Sequence, residues 1–270
     1  MLKQIRETAD FLMAAQKTQP RIGIILGTGL GGLVKEIEIE TSIPYEEIPN
    51  FPVSTVEGHH GKLIFGTIQG KPIMAMQGRF HFYEGYSMEE VTFPVRVMKL
   101  MGIEHLIVSN ASGGLNPDFK IGDIMVINDH LNMFGANPLT GTNLKELGPR
   151  FPDMSQPYSK KLIEMAMEIG RNEKIDLKQG VYAGTPGPTF ETPAEYKYFR
   201  IIGGDAVGMS TVPEVIVARH MNMTCFGVSI ITDSGVPGEI VEISHEEVQE
   251  VAAEAEPKMT KVISELIARI

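Results

Sequence analysis

Residues 77–85, Gln-Gly-Arg-Phe-His-Phe-Tyr-Glu-Gly, hold the densest mixture of cation, imidazole and aromatic ring in the chain. They follow an apolar run, 72–76, that reads as a buried strand. If the extended conformation continues past Gly78, a period of two puts Arg79, His81 and Tyr83 on one face and Phe80 and Phe82 on the other. Arginine offers a planar fork of donors, and histidine and tyrosine add more, so this face suits an oxygen-rich anion such as a phosphate or carboxylate. The same pattern fits a half-buried amphipathic strand with a salt-bridged arginine, and the stretch alone leaves both readings open.

Other stretches have chemistry of the same kind. The run 27–32, Gly-Thr-Gly-Leu-Gly-Gly, permits close backbone approach to a ligand and leaves amides and the Thr28 hydroxyl able to hold an anion. It also satisfies G-x-G-x-x-G, but the dinucleotide-binding reading wants a second parallel strand ending in an acid about twenty residues on. Two prolines in 42–49 make that stretch a poor parallel strand. His59 and His60 sit in a glycine-flanked loop; neighbouring residues on an extended chain point to opposite faces, and no His-Glu-x-x-His helix or cysteine cluster accompanies them, so one histidine near an anion is the better reading than a metal site.

Farther along, 109–114, Ser-Asn-Ala-Ser-Gly-Gly, follows the strand 105–108. It reads either as a flexible turn or as backbone facing a ligand at the carboxyl end of a sheet. In 185–195 a rigid turn meets a helix start with Thr192 as cap, Pro193 first and Glu195 closing the box. Glu191 beside Phe190 either compensates the helix dipole or accepts from the N–H groups of a planar ring that Phe190 stacks on. Ser210 and Thr211 lie before a helix 213–221, where an anion is favoured, although either hydroxyl serves equally as the cap.

These motifs need elements to place them. Helical spacing is read in 2–15, 88–101 and 159–171, and in a helix from the Ser244 cap to 270 that Pro257 should kink or divide. Strands are read at 21–26, 62–68, 72–76, 105–108, 124–127, 180–184, 205–208 and 225–231. The polar loop 137–151 is of a length that usually carries function, and Phe151 at its end either covers a site or anchors the loop. Strands and helices alternate with no repeat or linker, which predicts a single α/β domain over 1–270 with a central sheet covered on both faces.

Composition narrows the classes. In 270 residues, 43% are hydrophobic and 21% charged, an ordinary globular balance far from the disordered class. The formal net charge is −10 with the cations scattered, which argues against nucleic acid or a membrane surface as partner. The one cysteine, Cys225, lies in an apolar run, so it reads as a small core residue with no internal disulfide and no cysteine-based metal cage. Residues 1–17 lack the apolar segment of a secretory signal, and no run approaches the roughly 20 residues that span a bilayer, so a cytoplasmic protein is expected.

Taken together, 27–33, 77–85 with Thr-Phe-Pro-Val-Arg at 92–96, 109–117, 187–192 and 205–219 resemble the trimeric purine nucleoside phosphorylases over nearly the whole chain. Gly-Met-Ser-Thr-Val-Pro-Glu at 208–214 is far more specific than the glycine loop. The resemblance implies a mixed, twisted sheet flanked by helices and a reversible phosphorolysis. In that reaction a purine (deoxy)ribonucleoside and phosphate give the base and (deoxy)ribose 1-phosphate, with no metal or organic cofactor. Carried over by position, it implies a phosphate site of Thr28, Arg79, His81, the Ala111 N–H and Ser210, with His59 close by. Tyr83, Met209 and His245 hold the sugar, with Phe151 from a neighbouring subunit of a homotrimer closing over it. Phe190, Glu191, Val207, Asn110 and Asp233 surround the base, and His81, Glu191 and Asp233 are the groups nearest the chemistry.

The chain departs from the family pattern at Thr28, where serine is common, and at His60 and Ser234. It also has Asp233 where the members specific for 6-oxopurines carry asparagine. An amide both donates to O6 and accepts from a protonated N7, whereas an ionised carboxylate only accepts. Asp233 therefore suits the 6-amino group of adenine, while Glu191 suits the N1–H of hypoxanthine or guanine. The related methylthioadenosine phosphorylases use aspartate in this region but lack a counterpart of His245. Activity on inosine and guanosine is expected, with adenosine admitted through Asp233. The competing readings are a Rossmann oxidoreductase, which predicts NAD(P)H binding, and a non-catalytic nucleoside-binding protein, which predicts inosine binding independent of phosphate.

Overall fold

The run Ile-Gly-Ile-Ile-Leu makes β1 (Ile22–Leu26) buried along its whole length. Gly23 sits where an added Cβ would lie 2.8 Å from the Met98 sulfur, so its lack of a side chain lets α2 (Met88–Leu100) pack directly on the strand. The computed structural model describes residues 1–27, 31–53 and 61–270. Thr28, His59 and His60 lie outside the described residues.

Strand β1 runs parallel to its two neighbours, β4 (Lys71–Gln77) and β5 (His105–Gly114). Beyond β4 the sheet continues antiparallel through β3 (Lys62–Ile68) to β2 (Glu38–Pro44) at the edge. Beyond β5 it passes through β8 (Ala206–Gly208), β7 (Leu177–Gly184) and β6 (Ile124–Asn132) to β9 (Thr224–Ser234). Strand β9 then returns to pair in parallel with β5, so these five strands form a closed ring of pairings. The expected mixed α/β sheet is thus present, but its closure on one side is a long-range pairing that no local pattern announces.

The remaining helices are α1 (Leu2–Ala15), α3 (Lys160–Glu173), α4 (Pro193–Ile201), α5 (Val212–His220) and α6 (His245–Ala268). Helices α1, α2 and α5 pack together, as do α3 and α6, while α5 and α6 both rest on β9. Capping boxes at Ser87–Glu90, Thr192–Glu195 and Ser244–Glu247 start α2, α4 and α6 as their sequences predict. Among the described residues, no helix is long and apolar enough to cross a membrane. Cys225 is buried in the core.

Three expectations need correction. The stretch 109–114 is no turn: it completes β5, because β9 pairs with it through Gly114 and leaves its backbone no freedom to coil. After Gln77 the chain does not stay extended; Phe82–Glu84 is a 3-10 turn closed by Gly85 at φ 93°, a left-handed conformation that favours glycine. Pro257 does not divide α6, which continues from His245 to Ala268 with Ala252, Ala255, Met259 and Val262 buried on either side of it. That burial outweighs the roughly 3 kcal/mol penalty of an interior proline. The dinucleotide reading, already disfavoured by the prolines in 42–49, finds no parallel strand there: the 3-10 turn Gly31–Glu36 is followed by the antiparallel edge strand β2.

Candidate active site

The polar motifs converge where the strands end. One cleft is lined by Arg79, His81 and Tyr83 after β4, Asn110 to Gly113 of β5, and Phe190 and Glu191 before α4. Val207 to Ser210 between β8 and α5, Thr232 and Asp233 at the end of β9, and His245 and Val248 at the start of α6 complete it. The face expected for Arg79, His81 and Tyr83 therefore exists, although a turn rather than a continuing strand produces it. Phe80 points away, into rings of Tyr45, Phe51 and Tyr86, with centroids 5.2 to 6.1 Å apart.

At one end Arg79 is only 1% exposed. Its Nε donates to Glu214 Oε1 at 3.0 Å, its Nη2 lies 2.9 Å from the same oxygen, and its Nη1 donates to the Ser109 carbonyl at 2.5 Å. Glu214 is itself buried, so this ion pair sets the guanidinium in one orientation within a low-dielectric wall. Gly27 is required here: an added Cβ would lie 3.2 Å from Arg79 Nη1 and 2.7 Å from the Ser109 carbonyl oxygen.

His81 is fixed by Glu84, whose Oε1 accepts from the His81 amide at 2.7 Å and contacts Nδ1 at 3.2 Å. The histidine ring stacks on Tyr83 at 4.7 Å. Burial lowers the His81 pKa, the Glu84 carboxylate opposes that shift, and Arg79 adds to it. An Nδ1–H donated to Glu84 fixes the tautomer of the neutral ring and makes Nε2 its acceptor atom. Burial also raises Tyr83 to about 12, so its phenol stays a neutral donor.

Thr211 is held at φ 71°, an unusual conformation for a β-branched residue. It makes no side-chain cap for α5, contrary to one expected role; instead its hydroxyl accepts from Asn110 Nδ2 at 2.8 Å and lies 3.0 Å from Ser210 Oγ. The strained turn sets Ser210 at the positive end of α5, beside the Ala111 backbone across the cleft. Asn110 thus supports this turn through its amide group while its Oδ1 stays buried with no partner among the described residues.

The other end carries two carboxyl groups, Glu191 half-buried and Asp233 buried. Glu191 Oε1 accepts from Thr185 Oγ1 at 3.2 Å, and burial, with Asp233 and Glu195 adding to it, raises Glu191 to about 7. Asp233 accepts from Thr232 Oγ1 at 3.0 Å and from the Tyr196 hydroxyl at 3.3 Å; burial raises its pKa and these two bonds oppose the rise. Among the described residues, no salt bridge reaches either carboxyl group, and no His, Cys, Asp and Glu cluster suits a metal ion. Phe190 is 42% exposed at the rim and Val207 forms an apolar floor. His245 is exposed at the mouth, with Nε2 2.9 Å from Gln249 Nε2.

Phe151 alone among the described expected residues is absent from this cleft. It is 87% exposed beside Arg150, Pro152 and Met154, in a separate depression. Sequence reasoning missed Glu214, Glu84, Tyr196, Thr185 and Thr232. Glu214 stands 135 residues from Arg79 and looked like an ordinary helix-start acid. Glu84 had a usable signal, the three-residue spacing of a capping box from His81, which the extended reading concealed.

A buried arginine–glutamate ion pair and a histidine at one end, hydroxyls and aromatic rings between, and carboxyl groups with no salt bridge among the described residues at the other describe a site that holds an anion against a polar heterocycle. The chain belongs to the Phosphorylase superfamily, whose family model matches residues 21–268. Purine nucleoside phosphorylase 1 of Bacillus subtilis (strain 168) is 50% identical over 269 residues, which cover 100% of this chain and 99% of that protein. A crystal structure of a Schistosoma purine nucleoside phosphorylase in complex with hypoxanthine has a TM-score of 0.94 at 40% identity, covering 99% of this chain and 97% of that one. The Schistosoma mansoni purine nucleoside phosphorylase in complex with adenosine has a TM-score of 0.95 at 40% identity, with the same coverage of both chains.

Proposed function

We propose that the chain catalyses the reversible phosphorolysis of purine (deoxy)ribonucleosides, a pentosyl transfer that serves purine salvage. The observation that carries this reading is the cleft with Arg79 and His81 at one end and Glu191 and Asp233 at the other. Phosphate is the nucleophile: its oxygen bonds to C1′ as the C1′–N9 bond breaks and that electron pair passes to the purine. The protein supplies position and charge, with no covalent intermediate on its own side chains.

In this reading Arg79, His81, Ser210 and the Ala111 N–H hold phosphate, together with Thr28 and His59. Tyr83, Met209 and His245 hold the sugar, and Phe190, Glu191, Val207, Asn110 and Asp233 hold the base. Phosphate is a substrate and no cofactor takes part. The protein works in the cytoplasm, without nucleic-acid or membrane partners. With inosine, hypoxanthine appears only when phosphate is added; inosine bound without base release in the presence of phosphate would make this a binding protein instead.

The exposed Phe151 ring supports a homotrimer in which each subunit lends that side chain to its neighbour's sugar site. Sedimentation should then give three times the 29.7 kDa chain mass. Phe151→Ala should lower kcat/KM for inosine roughly tenfold with little change in thermal stability, since an exposed ring carries no fold energy but serves as an interface anchor. A fully active monomer contradicts the shared site.

A further inference from the structure

Two carboxyl groups lining one cleft with no cation paired to either among the described residues are an unusual solution to purine recognition. Glu191 and Asp233 line the same cleft, and the donors directed at them are neutral: the Thr185 hydroxyl and the residue's own backbone N–H on Glu191, and the Thr232 and Tyr196 hydroxyls on Asp233. Glu195 adds a further negative charge near Glu191. The 6-oxopurine edge presents a donor at N1 and an acceptor at O6; the adenine edge presents an acceptor at N1 and a donor at N6. A carboxylate accepts and a carboxylic acid donates, so a pair holding one proton can match either edge by the proton's position.

We propose that Glu191 and Asp233 share a single proton that selects the purine: on Glu191 with Asp233 ionised the pair takes adenine, and on Asp233 with Glu191 ionised it takes hypoxanthine. This inference rests on the reading of the cleft as a purine site. Binding of either base to the fully ionised pair then takes up one proton from solvent, by a different carboxylate in each case. The doubly ionised state suits neither ligand, because it sets a carboxylate acceptor against N1 of adenine or O6 of hypoxanthine, which are acceptors themselves.

Tyr196 is the positioning residue of this selector. Its ring occupies space that Gly235 leaves, since a Cβ at Gly235 would lie 2.5 Å from the ring. Gly113 makes room for the carboxylate itself, because its Cβ would fall 2.8 Å from Asp233 Oδ2. The tyrosine hydroxyl is thereby aimed at Oδ2, and with Thr232 on Oδ1 it favours the ionised form of Asp233 and leaves the proton with Glu191.

Calorimetric titration of adenine and hypoxanthine at saturating phosphate and about pH 8, in buffers of different ionisation enthalpy, measures the proton uptake. That pH is above the point, about 7, to which Glu191 is raised. The wild-type protein should take up close to one proton with each base. Asp233→Asn should abolish the uptake for hypoxanthine and keep it for adenine, and Glu191→Gln should do the reverse. Tyr196→Phe, which removes the hydroxyl and keeps the ring, should shift the adenine-to-hypoxanthine affinity ratio about tenfold toward hypoxanthine, the size of one hydrogen bond to a charged group. Hypoxanthine binding without proton uptake in the wild type, or a ratio that Tyr196→Phe leaves unmoved, overturns the selector while phosphorolysis itself stands. Absence of base binding together with absence of inosine cleavage overturns the purine reading beneath it.

Discussion

Arg79→Ala is expected to lower kcat/KM for phosphate by about 100-fold or more, because removing one positioned donor to transition-state charge costs about 3 kcal/mol. The effect should fall on phosphate rather than on nucleoside affinity. Arg79 and Glu214 are both buried and paired, so the substitution also strands a buried carboxylate, at roughly 3–5 kcal/mol of stability. The double variant Arg79→Ala with Glu214→Gln removes that penalty and should recover folding but not activity. Added guanidinium ion should restore part of the rate in the folded double variant, a response that loss of packing alone would not give. A folded variant with an unchanged phosphate dependence would remove Arg79 from the anion site.

Asp233→Asn is expected to lower the adenosine-to-inosine ratio of kcat/KM, by roughly tenfold and up to the 10⁴-fold that a buried hydrogen-bond mismatch can impose. Asparagine offers O6 a donor at every pH, so inosine no longer needs a proton on residue 233, while adenosine still needs one on Glu191. The substitution preserves shape; Thr232 meets one terminal atom of residue 233 and Tyr196 the other, so the amide oxygen keeps one hydroxyl donor and the hydroxyl that faces the amide nitrogen turns to accept. Phosphorolysis of both nucleosides by wild type and variant decides it. An unchanged ratio would mean that Asp233 does not read the six-position of the purine.

Much of the fold was legible because its elements are strongly patterned locally. The apolar run of β1, the three capping boxes and the amphipathic spacing of α1 and α3 each point to one structure. What stayed hidden is decided by contacts between distant segments. The closure of β9 onto β5 turns Ser109 to Gly114 from apparent turn residues into strand, and small side chains there serve the packing of a ring rather than flexibility. The residues that line the cleft were named by motif and by the family resemblance, whereas those that hold them in place were not. Glu214, Tyr196 and Thr185 act through residues far away or through a turn whose shape only the folded chain defines. Phe151 was named in sequence, yet its place lies off the cleft of its own chain.

The central claim is that phosphate, held by Arg79 and His81, is the nucleophile that displaces the purine. The most direct measurement is the stoichiometry of products from inosine, followed by the reverse reaction. The account predicts one ribose 1-phosphate for each hypoxanthine released, no release without phosphate, and inosine formed again from hypoxanthine and ribose 1-phosphate. Hypoxanthine released together with free ribose, at a rate independent of phosphate, would contradict it.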